Sequence, residues 1–186
     1  MSAVAFVYAV PARYEDILKL GFSHEPCARV RSFHARWYEY FELERGFVLE
    51  ATDEKDARRI ERELGAVLRE HRARAPLVIN EAAGGYTEWY RGASDALAAA
   101  AAELAQRGGY APPQVLRERL HARLTEERML WFERGTAMLD AIDALEGTPE
   151  VLAIARKLRD ALDAFDALGI EIDAHLPDTV REWWRG

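Results

Sequence analysis

The chain of 186 residues holds a single cysteine, Cys27, so it can form no internal disulfide and build no structural zinc site from several thiolates. Lysine is almost as scarce. Only Lys19, Lys55 and Lys157 stand against 22 arginines, which makes a lysine inside a strand a marked choice. No apolar run approaches the roughly 18–20 residues needed to cross a bilayer. The opening MSAVAFVYAV lacks the basic start and the cleavage site of a secretory leader. A cytoplasmic protein with no membrane partner is therefore expected. Internal repeats and low-complexity tracts are also lacking.

Positive charge is in deficit, the formal net charge being −7, which argues against a protein that coats nucleic acid without specificity. The deficit is uneven. Residues 1–92 carry 14 Lys+Arg against 15 Asp+Glu, whereas residues 93–186 carry 11 against 17. The acidity thus belongs to the second half, and a local basic strip around Arg29, Arg31 and Arg36 is compatible with a polyanionic partner bound weakly and salt-sensitively.

What the chain does have is a 49% hydrophobic content, enough for an ordinary core. AVAFVYAV (3–10) reads as a strand buried on both faces and ended by Pro11. ILKLGFS (17–23) reads as a second strand ending at Gly21, which is expected to turn the chain; a hairpin around PARYED joins the two. Pro26 opens a helix expected to run to Tyr38, with Cys27, Val30, Phe33, His34 and Trp37 on one face. A third strand lies within residues 40–51, with a turn or bulge at Gly46. Thr52 is the expected N-cap of a helix that turns Ala57, Ile60, Leu64, Val67, Leu68 and His71 inward. The first half is ββαβα and closes through LVINEAAGGYTEWYRG.

Residues 94–106 form a connecting helix in which the alanine run needs no functional reading, and RGGYAPP (107–113) punctuates the chain. Beyond it come a long helical stretch to Leu145, a reversal at Gly147-Thr148-Pro149, and a helix with Val151, Ile154, Leu158, Leu162, Phe165 and Leu168 in a stripe. The expected fold class is α/β. A small domain with a three-stranded antiparallel sheet and flanking helices occupies 1–92, a connecting helix and linker 93–110, and an α-helical hairpin region 111–186. The helices of that last region are the candidate surface for a homo-oligomer.

Chemistry concentrates in the first half. Phe6-Val7-Tyr8 ends one strand, Lys19-Leu20-Gly21 ends the next thirteen residues on, Arg29 follows after eight more, Glu61 lies on a later helix, and Thr87-Glu88-Trp89-Tyr90 closes the segment. This order resembles the GIY-YIG nuclease superfamily over roughly residues 4–92, and most closely its branch with K-[IL]-G as second motif and a G-E-W-F-like closing motif. The resemblance implies an endonuclease that hydrolyses DNA phosphodiesters, with Tyr8, Lys19, Arg29 and Glu61 catalytic, Glu61 the ligand of Mg²⁺ (or Mn²⁺), and DNA as partner.

The residue types suit those tasks. Arg29 presents a rigid fork of donors to phosphoryl oxygens, and a carboxylate such as Glu61 suits a hard cation that keeps most of its waters. Tyr8 serves as a general base only if a neighbouring cation lowers its phenol, a role open to Lys19. Arg31, His34 and Arg36 on the first helix are the candidate substrate-binding residues. Glu63, on the other shoulder of its helix, is the alternative to Glu61. Where the branch carries a histidine four residues after the helical glutamate, this chain has Gly65.

Plainer readings stand beside these. Tyr8 has the character of a core aromatic, Arg29, Arg31 and Arg36 of a solvated helix face, and Glu61 of a surface ion-pair partner for Arg58 or Lys55. The aromatics around Glu88 are expected to dock the end of the domain onto its core. Together with the net acidity and Gly65, these readings define a second expectation: a catalytically inactive GIY-YIG-like domain serving as a nucleic-acid-binding or protein-assembly module.

Overall fold

A computed structural model describes residues 4–79 and 87–186. Ala3 of the first expected strand, and residues 80–86 of the closing segment, lie outside the described residues. The chain divides into two compact units, residues 1–119 and 120–186.

The first unit is built on β1 (Ala5–Pro11) and β2 (Ile17–Ser23), the expected hairpin, followed by α1 (Pro26–Phe33), α2 (Trp37–Tyr40), β3 (Phe47–Ala51) and α3 (Glu54–Val67). After these come β4 (Arg72–Ala73), β5 (Trp89–Arg91), α4 (Ser94–Gly108) and β6 (Gln114–Val115). Among the described residues the sheet has six strands rather than the expected three, in the order β4-β5-β2-β1-β3-β6, and every pairing is antiparallel. The three additional strands are two or three residues long, too short for the alternation that marks a strand in sequence. Both α4 and β6 belong to this unit, α4 packing on α3 and β3 and β6 pairing with β3.

Alternation along β1 divides the core. Ala5, Val7 and Ala9 join Leu18 and Leu20 of β2 in a cluster with Ala57, Ile60 and Leu64 of α3 and Leu97, Ala101 and Leu104 of α4. Side chains of the other parity meet aromatic residues: Tyr8 packs 6.3 Å from Phe33 of α1, and Phe33 lies 6.3 Å from both Phe41 and Trp89. Trp89 and Tyr90 are buried, so the aromatics of the closing motif do dock onto the core.

Three local expectations are corrected. The helix from Pro26 stops at Phe33, because His34 adopts an extended backbone and its Nδ1 accepts the Arg36 N–H at 3.1 Å, a local bond that competes with helix continuation. At α3 the N-cap is Asp53 rather than Thr52: Asp53 accepts from the Asp56 N–H at 2.8 Å, and Asp56 reaches back to accept from the N–H of Thr52, one residue before the cap, at 3.1 Å. Val67, expected inward, is exposed where the helix ends.

The second unit contains α6 (Trp131–Ala144), α7 (Pro149–Leu168) and α8 (Asp178–Arg185); α5 (Leu116–Glu127) spans the division. Helices α6 and α7 pack together across the expected reversal, with Trp131 edge-on to Phe165 at 5.7 Å. Of the stripe on α7, Leu158, Leu162, Phe165 and Leu168 are buried. Trp184 is buried as well and donates its indole N–H to Asp163 at 2.8 Å. No described helix is long and apolar enough to cross a membrane.

Candidate active site

Tyr8 sits at the middle of β1, the central pairing strand, directly opposite Gly21 of β2. Gly21 lies inside β2 and does not turn the chain, which continues as strand to Ser23. Its requirement is close approach: a Cβ there would stand 2.6 Å from the Tyr8 hydroxyl oxygen. The bare position lets the phenol cross the neighbouring strand, where it accepts a hydrogen bond from Arg29 of α1. Gly21→Ala forces the buried Tyr8 ring from that place. An expected cost of about 1–3 kcal/mol in urea unfolding, with loss of the Tyr8–Arg29 bond, checks this role.

Lys19 is the only buried charged side chain among the described residues, 2% exposed. Its ammonium donates to the Thr87 carbonyl at 2.8 Å and to a Glu88 carboxylate oxygen at 3.1 Å. Thr87 donates its hydroxyl to the same Glu88 oxygen at 2.6 Å, and the Leu20 N–H donates to the Glu88 carbonyl at 3.0 Å. Glu88 is held at φ 59°, the only non-glycine residue with positive φ among those described. Such a conformation costs of order 1–3 kcal/mol and tends to be kept where a side chain must be aimed.

Glu61 approaches from α3, half-buried and in no ion pair with a described residue. Arg58, its expected surface partner, is bound to Glu54 at 2.7 Å instead. Glu63 is excluded from the group by its own partners, Arg59 at 3.1 Å and Arg107 of α4. Of the two shoulders of α3, the one bearing Glu61 therefore faces the site. Glu61, Glu88, Gly65 and Tyr90 line an open cleft of ≈ 530 Å³.

The charges of these five residues act on one another. Burial pushes the Tyr8 phenol up to about 12; Arg29 opposes this through its hydrogen bond and its charge, and Glu61 and Glu88 reinforce it. The cation that relieves Tyr8 is thus Arg29, not the expected Lys19. Burial lowers Lys19 against the opposing pull of Glu88 and Glu61. Burial also raises Glu61, helped by the Glu88 carboxylate and opposed by Lys19. For Glu88 burial acts upward but is outweighed by the bonds from Thr87 and Lys19, and the net shift is downward. The four residues singled out in the sequence are brought together here, with Glu88 as a fifth.

The proposed substrate-binding residues of the first helix are occupied differently. Arg36 holds Glu39 through two bonds of 2.7 and 2.6 Å, and His34 stacks on Tyr40 at 4.8 Å; Arg31 is half-buried at the end of α1. Over Gly65, the position without the branch's histidine, the Tyr90 hydroxyl stands 3.0 Å from where a Cβ would be. Sequence reasoning did not single out Tyr90; its only signal was membership of the closing motif.

Among the described residues no three His, Cys, Asp or Glu side chains converge as a ready metal cage. A half-buried carboxylate with no ion-pair partner among the described residues and a second carboxylate nearby still fits Mg²⁺, which commonly takes one or two protein carboxylates and completes its shell with water and substrate phosphate. Glu61 would hold the ion, and the ion would supply positive charge to a phosphoryl oxygen. Comparison with protein-family models, with curated proteins and with solved structures finds no match for the chain.

Proposed function

We propose that the first unit is a metal-dependent DNA endonuclease of the GIY-YIG type, with Tyr8, Lys19, Arg29, Glu61 and Glu88 as its site. The observation that carries this reading is the convergence, from β1, β2, α1, α3 and the entry to β5, of a phenol, an ammonium, a guanidinium and two carboxylates, with a half-buried Glu61 in no ion pair with a described residue. Hydrolysing a phosphodiester requires charge neutralised on the phosphoryl oxygens and a proton taken from water. Arg29 meets the first requirement with donors fixed in a fork, and its bond to the Tyr8 hydroxyl favours the phenolate that meets the second. Lys19 supplies a fixed positive charge to the same corner. In this reading the second unit serves oligomerisation or target choice; the exposed Met129, Leu130 and Phe132 offer an apolar surface for the former.

The test is cleavage of plasmid and branched DNA by the full chain with Mg²⁺ or Mn²⁺. Cleavage is expected with either metal, is abolished by EDTA, and falls by about 10²–10³ in Arg29→Ala. A wild type that binds DNA but cuts nothing with either metal overturns the nuclease reading and favours the inactive binding module. That second reading draws on Tyr8, whose phenol at about 12 is a poor base until further positive charge is brought to it.

A further inference from the structure

Two arginines beside the active-site cleft are neutralised by neighbouring carboxylates. On α3 Arg58 holds Glu54 at 2.7 Å, and Arg59 holds Asp56 at 2.9 Å and Glu63 at 3.1 Å. Three arginines that line the cleft itself are not: Arg62, Arg69 and Arg72 are exposed, and none forms an ion pair with a described residue. Arg62 donates only its Nε, to the Arg58 carbonyl at 3.1 Å. In a chain with 32 acidic and 25 basic residues, this cleft sets three guanidinium groups against two carboxylates, Glu61 and Glu88, a local balance that the net charge conceals.

The three follow one another along the chain around the cleft. Arg62 stands on α3, Arg69 opens the 3-10 turn Arg69–His71 that follows the end of α3 at Val67, and Arg72 opens β4. Between Arg62 and Arg69, Gly65 and Ala66 contribute small residues to the cleft wall, with the Tyr90 hydroxyl over Gly65. Glu61 lies at the end of that wall, one residue before Arg62.

We infer that Arg62, Arg69 and Arg72 form a track for the phosphodiester backbone of DNA, which leads a strand from the start of β4 past the end of α3 to Glu61. The inference rests on the nuclease reading and places the flanking substrate contacts on the segment from α3 to β4 rather than on Arg31, His34 and Arg36. A fork of N–H donors on each arginine suits phosphate oxygens, and such contacts position a strand without reading its sequence.

The experiment measures binding of the full chain to a short fluorescein-labelled DNA duplex by anisotropy, in EDTA to prevent cleavage, over a range of salt concentrations. The variant combining Arg62→Ala, Arg69→Ala and Arg72→Ala is expected to bind more weakly, with the slope of log K against log salt shallower by about 2.7, or ~0.9 per lost phosphate contact. A second variant combining Arg45→Ala, Arg107→Ala and Arg181→Ala removes the same charge at arginines held in ion pairs. It is expected to keep the wild-type slope. Equal slopes for the wild type and the cleft variant, or equal losses in both variants, overturn the track. Failure of the wild type to bind the duplex at low salt instead overturns the DNA reading beneath it.

Discussion

Glu61→Gln is expected to abolish metal-dependent cleavage and, at neutral pH, to raise the midpoint of thermal unfolding. The two effects have one origin. Glu61 is half-buried, meets no cation in an ion pair among the described residues, and lies within reach of the Glu88 charge, so the fold penalises its ionised form and its pKa is raised. A carboxyl with a raised folded-state pKa favours the fold while it is protonated, and that contribution is lost as pH climbs from the ordinary value of 4.5 through the raised one. At neutral pH the wild type therefore carries a penalty that glutamine does not. Below 4.5 both chains are neutral at this position and their midpoints should converge. Activity should fall by at least about 10²–10³, since the charge that would hold the metal is gone. Melting curves at neutral and acid pH, run beside plasmid nicking, check both halves. A variant that cuts normally, or that melts lower at neutral pH, would show that Glu61 is an ordinary structural carboxylate.

Such a residue, costly to the fold and kept, is what sequence patterns cannot display. They display what repeats. The all-buried AFVYAVP, the alternating ILKLGFS and the 3.6-residue rhythm of Ala57, Ile60, Leu64 and Leu68 were legible because a buried face imposes a period on the residues that fill it. Strands of two or three residues impose none, and so β4, β5 and β6 were invisible and the sheet was expected at half its size. Gly21 was legible as a special position and misread in kind. Glycine marks both turns and close approaches, and only the cross-strand partner, Tyr8, distinguishes them.

The grouping of Tyr8, Lys19, Arg29 and Glu61 was readable only through their order along the chain. The choice between Glu61 and Glu63 depended on which shoulder of α3 met α4, where Arg107 captures Glu63. Glu88 was passed over because its neighbours, Trp89 and Tyr90, are core aromatics. Its distinguishing features, a left-handed backbone and a buried ammonium as partner, leave no trace in composition.

Glu88→Ala should be the most destabilising single change at the site. It leaves Lys19 buried with only the Thr87 carbonyl to accept from its ammonium. Breaking a fully buried pair costs about 3–5 kcal/mol; because the Glu88 side chain is 38% exposed, about 2–3 kcal/mol is the expected loss here. Backbone strain offers an internal comparison. Alanine inherits the positive φ, whereas Glu88→Gly loses the same ion pair but adopts that conformation freely, and should recover about 1 kcal/mol.

The pH dependence isolates the charge. Lys19 is lowered by burial, so between its folded-state pKa and the ordinary 10.5 the unfolded chain binds more protons than the folded one, and stability rises with pH. Removing Glu88 takes away the main group holding Lys19 up, which widens that window from its lower end. The deficit of Glu88→Ala relative to wild type should therefore shrink as pH rises toward 10.5, where Lys19 approaches neutrality and the ion pair has nothing left to contribute. Urea unfolding at stepped pH values measures this directly. A deficit that stays constant would mean that Glu88 acts through its backbone and its bonds to Thr87 and Leu20 alone. A deficit that closes would make it the residue that keeps a charged lysine beside Tyr8 and Arg29.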